Sequence, residues 1–290
     1  MPIDVVACSP ALGAEIRGVD VSQPLDDATV GVLKDAWDAH LVLLFRDQEL
    51  SDADLVRFSN HFGKCDHAPP NEASNTTSDG YVPDAPEVTI ISNVVVDGIS
   101  IGSLGASECA WHTDMSYMPE PADASALYAI EVPVSAGDTS FLNMYRACET
   151  LPEGLKKQLV GKKAIHDATY TSAGGLRKGI EEVTDVREAP GAHHPILRTH
   201  PTTGRTALFL GRRVNAYILG LPVEESEALL DAVWAHTVQD RFVWTHQWRK
   251  GDLLLWDNRC AMHRREAFDP GDRRIMHRTQ LKGEAPYYAD

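Results

Sequence analysis

The chain has 290 residues, a formal net charge of −15 and a pI near 5.2. An acidic balance of this size argues against nucleic acid and anionic membrane surfaces as partners, while a small anionic substrate stays open because a pocket sets its own local field. Five cysteines without a CxxC pair, no leader-like start and no long apolar run point to reduced thiols, a cytoplasmic setting and no membrane span.

In chain order, a first helix is predicted over 27–40 and a second follows the cap residue Ser51 to about 61. Short apolar runs bounded by Gly, Pro, Asp or Asn read as strands: LVLLF (41–45), EVTII (87–91), SALYAIEV (125–132), FVWTHQW (242–248), DLLLW (252–256) and RIMHRTQL (274–281). A third helix starts at Pro222, with Glu224 and Glu225 in its first turn. Its residues 226, 229, 230, 233, 234 and 237 form one buried face. Two polar stretches, 64–86 and 167–193, lack a period and read as lids. Together these elements predict one domain over 1–290, mostly β with flanking α, closed into a sandwich or barrel.

The stretch Trp111-His112-Thr113-Asp114 sets an imidazole and a carboxylate two residues apart. On a strand both would point to one face, and a distant histidine would complete a two-His-one-carboxylate site for Fe(II). The motif alone is weak, since with 12 histidines about one His-x-Asp arises by chance. The second half of the chain adds to it. In GDLLLWDNRCAMHRREAFDPGDRRIMHR, His263 follows an apolar strand and FDPGD turns the chain back. Arg274, Met276 and Arg278 then share one strand face. Two arginines entering a barrel need anions, and Arg is shaped to hold a carboxylate with two parallel hydrogen bonds. The alternative is a pair of rim arginines bonded to protein carboxylates.

Nearly the whole chain resembles the taurine dioxygenase family (TauD/TfdA), the Fe(II)- and 2-oxoglutarate-dependent oxygenases that include aryloxyalkanoate dioxygenases. The likeness runs from LGAEIRGVDVSQPLDD, HLVLLFRDQELS and FSNHFG through WHTDMSYMPEPADASALYAIEVPVSAGDTSFLNMY and HHPILRTHPTTGRTALFLGR to GDLLLWDNRCAMHR and RRIMHRTQL. It implies a double-stranded β-helix, or jelly roll, of cupin-like type. It implies iron ligation by His112, Asp114 and His263. It also implies 2-oxoglutarate binding by Thr139 and by Arg274, eleven residues after His263. Arg278 matches an arginine that holds the sulfonate in the taurine enzyme, and Trp256 and Val214 match positions lining the site. Glu108 stands where that enzyme has an Asn, and His67 is the histidine nearest to its substrate His–Tyr pair. These departures move the expectation away from taurine itself.

The implied reaction consumes Fe(II), 2-oxoglutarate and O2, hydroxylates a small organic anion (a sulfonate, sulfate ester or aryloxyalkanoate) and releases succinate and CO2. Asp114 occupies the place a halide would need, so hydroxylation is expected over halogenation. A homo-oligomer, dimer or tetramer, is expected.

Three other readings compete. Gly98-Ile99-Ser100-Ile101-Gly102 fits the G-x-S-x-G elbow of a serine hydrolase, but SLGASECAW after it is no helix. A cupin-like binding module would not need both the triad and the Thr139/Arg274 pair. Zinc hydrolysis would suit the ligand set but lacks HExxH. Of the remaining histidines, His193, His194 and His200 are expected to satisfy backbone groups, His277 to face away from the site and His166 to lie at most beside it.

Overall fold

The computed structural model describes residues 2–67 and 81–289. The larger sheet runs in space through Asp4–Ala7, Ala14–Arg17, Val42–Phe45, Leu253–Asp257, Ala124–Glu131, Ile275–Leu281, Ala85–Ser92 and Tyr81–Val82. The smaller sheet runs Val243–His246, Thr139–Asn143, Ala261–Arg265 and Cys109–His112. Each of the six apolar runs overlaps one of these strands.

The central strands are apolar throughout because both of their faces are covered. Val42, Leu44, Leu254, Trp256, Leu127 and Ala129 belong to one core, together with Phe141 and Leu142 of the smaller sheet. Their alternate neighbours Leu43, Phe45, Leu253, Leu255, Ala126 and Tyr128 belong to a second core. That second core is closed by Leu33 and Trp37 of the helix Asp27–His40 and by Leu55 and Phe58 of the helix Asp52–Ser59. The inner face therefore meets the smaller sheet, with the rings of Phe141 and Trp256 5.5 Å apart. The outer face meets helices.

Local chemistry sets the helix ends. Asp26 caps the first helix by accepting from the Thr29 N–H, and Ser51 and Asp54 form a reciprocal capping box on the second. The third helix, Val223–Thr237, starts one residue later than predicted. Pro222 has extended ψ and precedes the first turn as its cap. Its predicted face is buried at all six positions, Ser226, Leu229, Leu230, Val233, Trp234 and Thr237. The sequence reading missed the helices Met144–Glu149 and Glu153–Leu159, which are too short to display a period.

The stretch 167–193 is largely irregular, but its last residues enter the strand Gly191–Pro195, which pairs with Lys163–Asp167. Residues 68–80 of the other expected lid lie outside the described residues. Gly98 and Ser100 belong to a tight hairpin, Val95–Val96 against Ile99–Ser100. Its two turn residues, Asp97 and Gly98, have φ of 51° and 79°, the geometry an Asp-Gly hairpin turn requires. Ser100 thus lies in a hairpin strand with another strand after it, so the geometry of a nucleophile elbow is missing.

Candidate active site

A cavity opens where the two sheets meet, with about 440 Å³ of space between its lining atoms, part of it open to solvent. From the larger sheet it is lined by Ile91, Leu127, Trp256, Arg274 and Arg278. From the smaller sheet come Cys109, His112, Thr139, His263 and Arg265.

Cross-strand register builds the metal-binding end. His263 on Ala261–Arg265 pairs directly with His112 at the end of Cys109–His112, and their rings lie 4.1 Å apart. Asp114 is in a turn rather than on the strand, two residues beyond it, and Met115 next to it has φ 54°. The turn, and not strand alternation, brings its carboxylate back. Asp114 Oδ1 lies 3.7 Å from His112 Nε2 and 3.9 Å from His263 Nε2. The three ligand atoms fall within 4.8 Å of one another, a group that could hold a metal ion.

The surroundings suit that use. His112 Nδ1 donates to the Ala110 carbonyl at 2.8 Å, which leaves Nε2 with a free lone pair. The His263 ring is held by packing against Trp256 and Phe141. Burial, the neighbouring His112 and the Arg278 cation push its pKa down to about 3, so the imidazole is neutral. For Asp114, burial alone would raise the carboxyl, but Arg278, His263 and His112 outweigh burial and hold it well below the ordinary range. A deprotonated carboxylate beside two imidazoles is the donor set that a divalent transition metal takes.

Two residues that the sequence reading missed orient the carboxylate. Ser125 donates to Asp114 Oδ2 at 2.7 Å, and Asn258 donates to Ser125 at 3.1 Å. Trp256 in turn donates to Asn258 at 2.9 Å. No spacing relates these residues to the His-x-Asp motif. They meet it only because Ser125 pairs with Trp256 across the larger sheet.

At the far end, Thr139 accepts from the indole of Trp248 at 2.9 Å. Arg274 is 2% exposed, and its Nε and Nη1 have no hydrogen-bond partner among the described residues. Burial and the nearby Arg265 charge push its pKa down to about 9. A buried guanidinium without a carboxylate is costly, and an anionic ligand would relieve that cost. Arg278 shares the inward face with Arg274 and Met276, as predicted, but it has a protein partner: Nη1 donates to Asp114 Oδ1 at 3.3 Å. Its buried Nε has none.

Three expected substrate residues are not brought to the cavity. Val214 is 53% exposed in a turn that reaches φ 53° at Asn215, and Glu108 is exposed one position before Cys109, whose side chain alternates inward. His67 is exposed at the last residue before the undescribed segment. The other histidines stay away from the cavity. His194 is within hydrogen-bond distance of the Met118 carbonyl, His277 pairs with Asp52 on the outer face, and His166 stacks on Phe209.

A second ligand-like group, His200, Asp257 and Cys260, is also buried. Here both imidazole nitrogens are occupied: Nδ1 accepts from the Thr202 and Thr203 amides, so Nε2 carries the proton toward Asp257 at 3.0 Å. Arg259 takes both oxygens of Asp257, at 2.8 and 2.7 Å. This is a structural knot in the turn between Leu253–Asp257 and Ala261–Arg265, and it sets the strand that carries His263.

Comparison with known proteins places this geometry. The family model for "Taurine catabolism dioxygenase TauD, TfdA family" matches residues 4–280. Pentalenolactone F synthase of Streptomyces avermitilis is 33% identical over 93% of this chain and 90% of its own. The alpha-ketoglutarate-dependent 2,4-dichlorophenoxyacetate dioxygenase of Cupriavidus pinatubonensis is 32% identical over 95% of this chain and 96% of its own. The crystal structure of a taurine dioxygenase from Burkholderia xenovorans superposes with a TM-score of 0.78 at 29% identity, covering 98% of this chain and 90% of that one. With a family match over almost its full length, the chain belongs to the TauD/TfdA family of alpha-ketoglutarate-dependent dioxygenases.

Proposed function

We propose that this enzyme hydroxylates a small organic anion, of sulfonate, sulfate ester or aryloxyalkanoate type, at the carbon next to its heteroatom, so that the molecule breaks. The observation that carries the reading is one cavity with three parts: two histidines that converge with the Asp114 carboxylate, a buried arginine whose Nε and Nη1 have no hydrogen-bond partner among the described residues, and a second arginine against that carboxylate. When bound, Fe(II), 2-oxoglutarate and O2 supply the oxidising power, with succinate and CO2 as co-products.

The side chains do the rest. His112 Nε2, His263 Nε2 and Asp114 Oδ1 would hold the metal, with Ser125 fixing the carboxylate. Arg274 and Thr139 hold the far carboxylate of 2-oxoglutarate. Arg278 takes the substrate anion through its unused donors while Nη1 stays on Asp114. Ile91, Leu127 and Trp256 keep water from the reacting carbon. We further read the two facing sheets as a double-stranded β-helix within one domain over 1–290, and 167–193 as cover for the substrate. Five free cysteines among the described residues agree with a reducing, cytoplasmic setting, and a dimer or tetramer remains the expected assembly. No helix among the described residues is long and apolar enough to cross a membrane.

The test is a panel of sulfonates, sulfate esters, aryloxyalkanoates and neutral analogues, scored by succinate release from wild type and from Arg278→Ala. The reading expects anions to turn over, neutral analogues to fail, and the variant to lose substrate oxidation while keeping slow substrate-independent decarboxylation. Equal turnover of a neutral analogue would remove the anion site from Arg278.

A further inference from the structure

We propose that Arg265 is a second cationic contact for the far carboxylate of 2-oxoglutarate, facing Arg274 across the cavity and beside Thr139. The inference rests on reading this cavity as the cosubstrate site, and it concerns a residue outside the metal triad and the Thr139/Arg274 pair.

The placement follows from register. On the smaller sheet Arg265 lies directly opposite Thr139 on one side and opposite Cys109 on the other. Directly opposed residues share a sheet face. All three line the cavity, together with Arg274 from the larger sheet. Arg265 is 5% exposed, so its charge is inside the molecule.

Two of the other buried arginines have a carboxylate: Arg259 binds Asp257 and Arg198 reaches Asp123. Among the described residues Arg265 has no carboxylate. Its Nη2 donates to the carbonyls of Leu104, at 3.0 Å, and of Ser107, its guanidinium lies 5.3 Å from the Phe268 ring centre, and its Nε has no partner. The two carbonyls and the ring orient the guanidinium without neutralising it. Arg274 is in the same condition, with Nε and Nη1 both unpartnered. Two like charges in one low-dielectric cavity repel, and each retains hydrogen-bonding capacity that the protein leaves unused. One anion with two oxygens between them removes the repulsion and takes up the free donors. A dicarboxylate with its chelating end at the metal group presents such an anion at its other end.

The consequence is discrimination. A two-arginine end favours a 2-oxo diacid over a 2-oxo monoacid of equal length, because the monoacid leaves both guanidinium groups unpaired. The experiment is calorimetric binding of 2-oxoglutarate and of 2-oxopentanoate to the Fe(II)-loaded protein without O2. It compares wild type with Arg265→Gln, which removes the charge and keeps an amide donor for the carbonyls. The expected result is a fall of roughly tenfold or more in the diacid-to-monoacid affinity ratio, with monoacid binding unchanged. A merely structural role would weaken both acids and leave the ratio in place, and that result overturns the proposal. Should Arg265→Gln fail to fold, Arg265→Lys decides. A point charge without the planar fork should lower the ratio by about threefold or more, and an unaltered ratio overturns the proposal. Wild type binding both acids equally, or neither, would instead overturn the cosubstrate reading itself.

Discussion

At the scale of single residues, the site is a contest between burial and charge. His112, Asp114 and His263 are each under a tenth exposed, and the carboxylate stays ionised because Arg278 and two imidazoles face it. Removing any one ligand leaves two, so His112→Ala, Asp114→Ala and His263→Ala should each abolish turnover and weaken Fe(II) binding, read by metal titration of the folded variants. Full turnover by one variant would take that residue out of the triad. Arg274 has the opposite character, a buried cation whose Nε and Nη1 have no hydrogen-bond partner among the described residues. Arg274→Ala should raise the 2-oxoglutarate requirement roughly ten- to a hundredfold, from the loss of about 1.5–3 kcal/mol of charge-assisted bonding. Arg274→Lys, which keeps the charge without the fork, should lie between. An unchanged 2-oxoglutarate requirement with a raised substrate requirement would exchange the roles of Arg274 and Arg278. The triad was legible as a motif only in company with the C-terminal strand. Ser125 and Asn258 were not legible, because a serine and an asparagine carry no spacing signal and reach Asp114 through the register of the folded sheet.

At the scale of elements, what was legible depended on coverage. Strands such as Leu253–Asp257 sit between two cores and read as unbroken apolar runs. The cap residue Ser51 marks its helix because a side chain must satisfy the free amides there. Short helices, two-residue strands and the turn after His112 leave no such trace. The substrate-side assignments for Val214 and Glu108 failed to reach the cavity for the same reason: a matched position says nothing of which way a turn or a strand edge faces. The turn between Leu253–Asp257 and Ala261–Arg265 carries a prediction of its own. Asp257→Asn leaves Arg259 and His200 without their buried carboxylate. Unfolding in urea should show a loss of about 3–5 kcal/mol. Fe(II) affinity should fall as well, since the strand holding His263 starts there. A variant as stable as wild type would show the knot to be dispensable.

For the whole molecule, buried neutral histidines make stability depend on acid. Burial outweighs the hydrogen bond that His194 makes with the Met118 carbonyl and pushes its pKa from 6.5 down to about 4, and fully buried His166 is also pushed well below 6.5. The folded values are depressed, so the unfolded chain binds the extra protons. Stability is then complete above about pH 6.5 and is lost as pH falls toward 4, with His194 accounting for about 2 kcal/mol between pH 7.5 and 5. Denaturant midpoints across that range should shift accordingly, and His194→Leu should flatten the slope. A slope identical to wild type would assign the acid sensitivity elsewhere. The central claim, that the two sheets hold an Fe(II)- and 2-oxoglutarate-dependent oxygenase site, is tested most directly by O2 consumption and succinate release from purified protein given 2-oxoglutarate alone. The account predicts slow decarboxylation that requires Fe(II), matches O2 consumed to succinate formed, and disappears in Asp114→Ala. Decarboxylation that persists in Asp114→Ala, or no 2-oxoglutarate-dependent O2 consumption in the Fe(II)-loaded wild type, would contradict it.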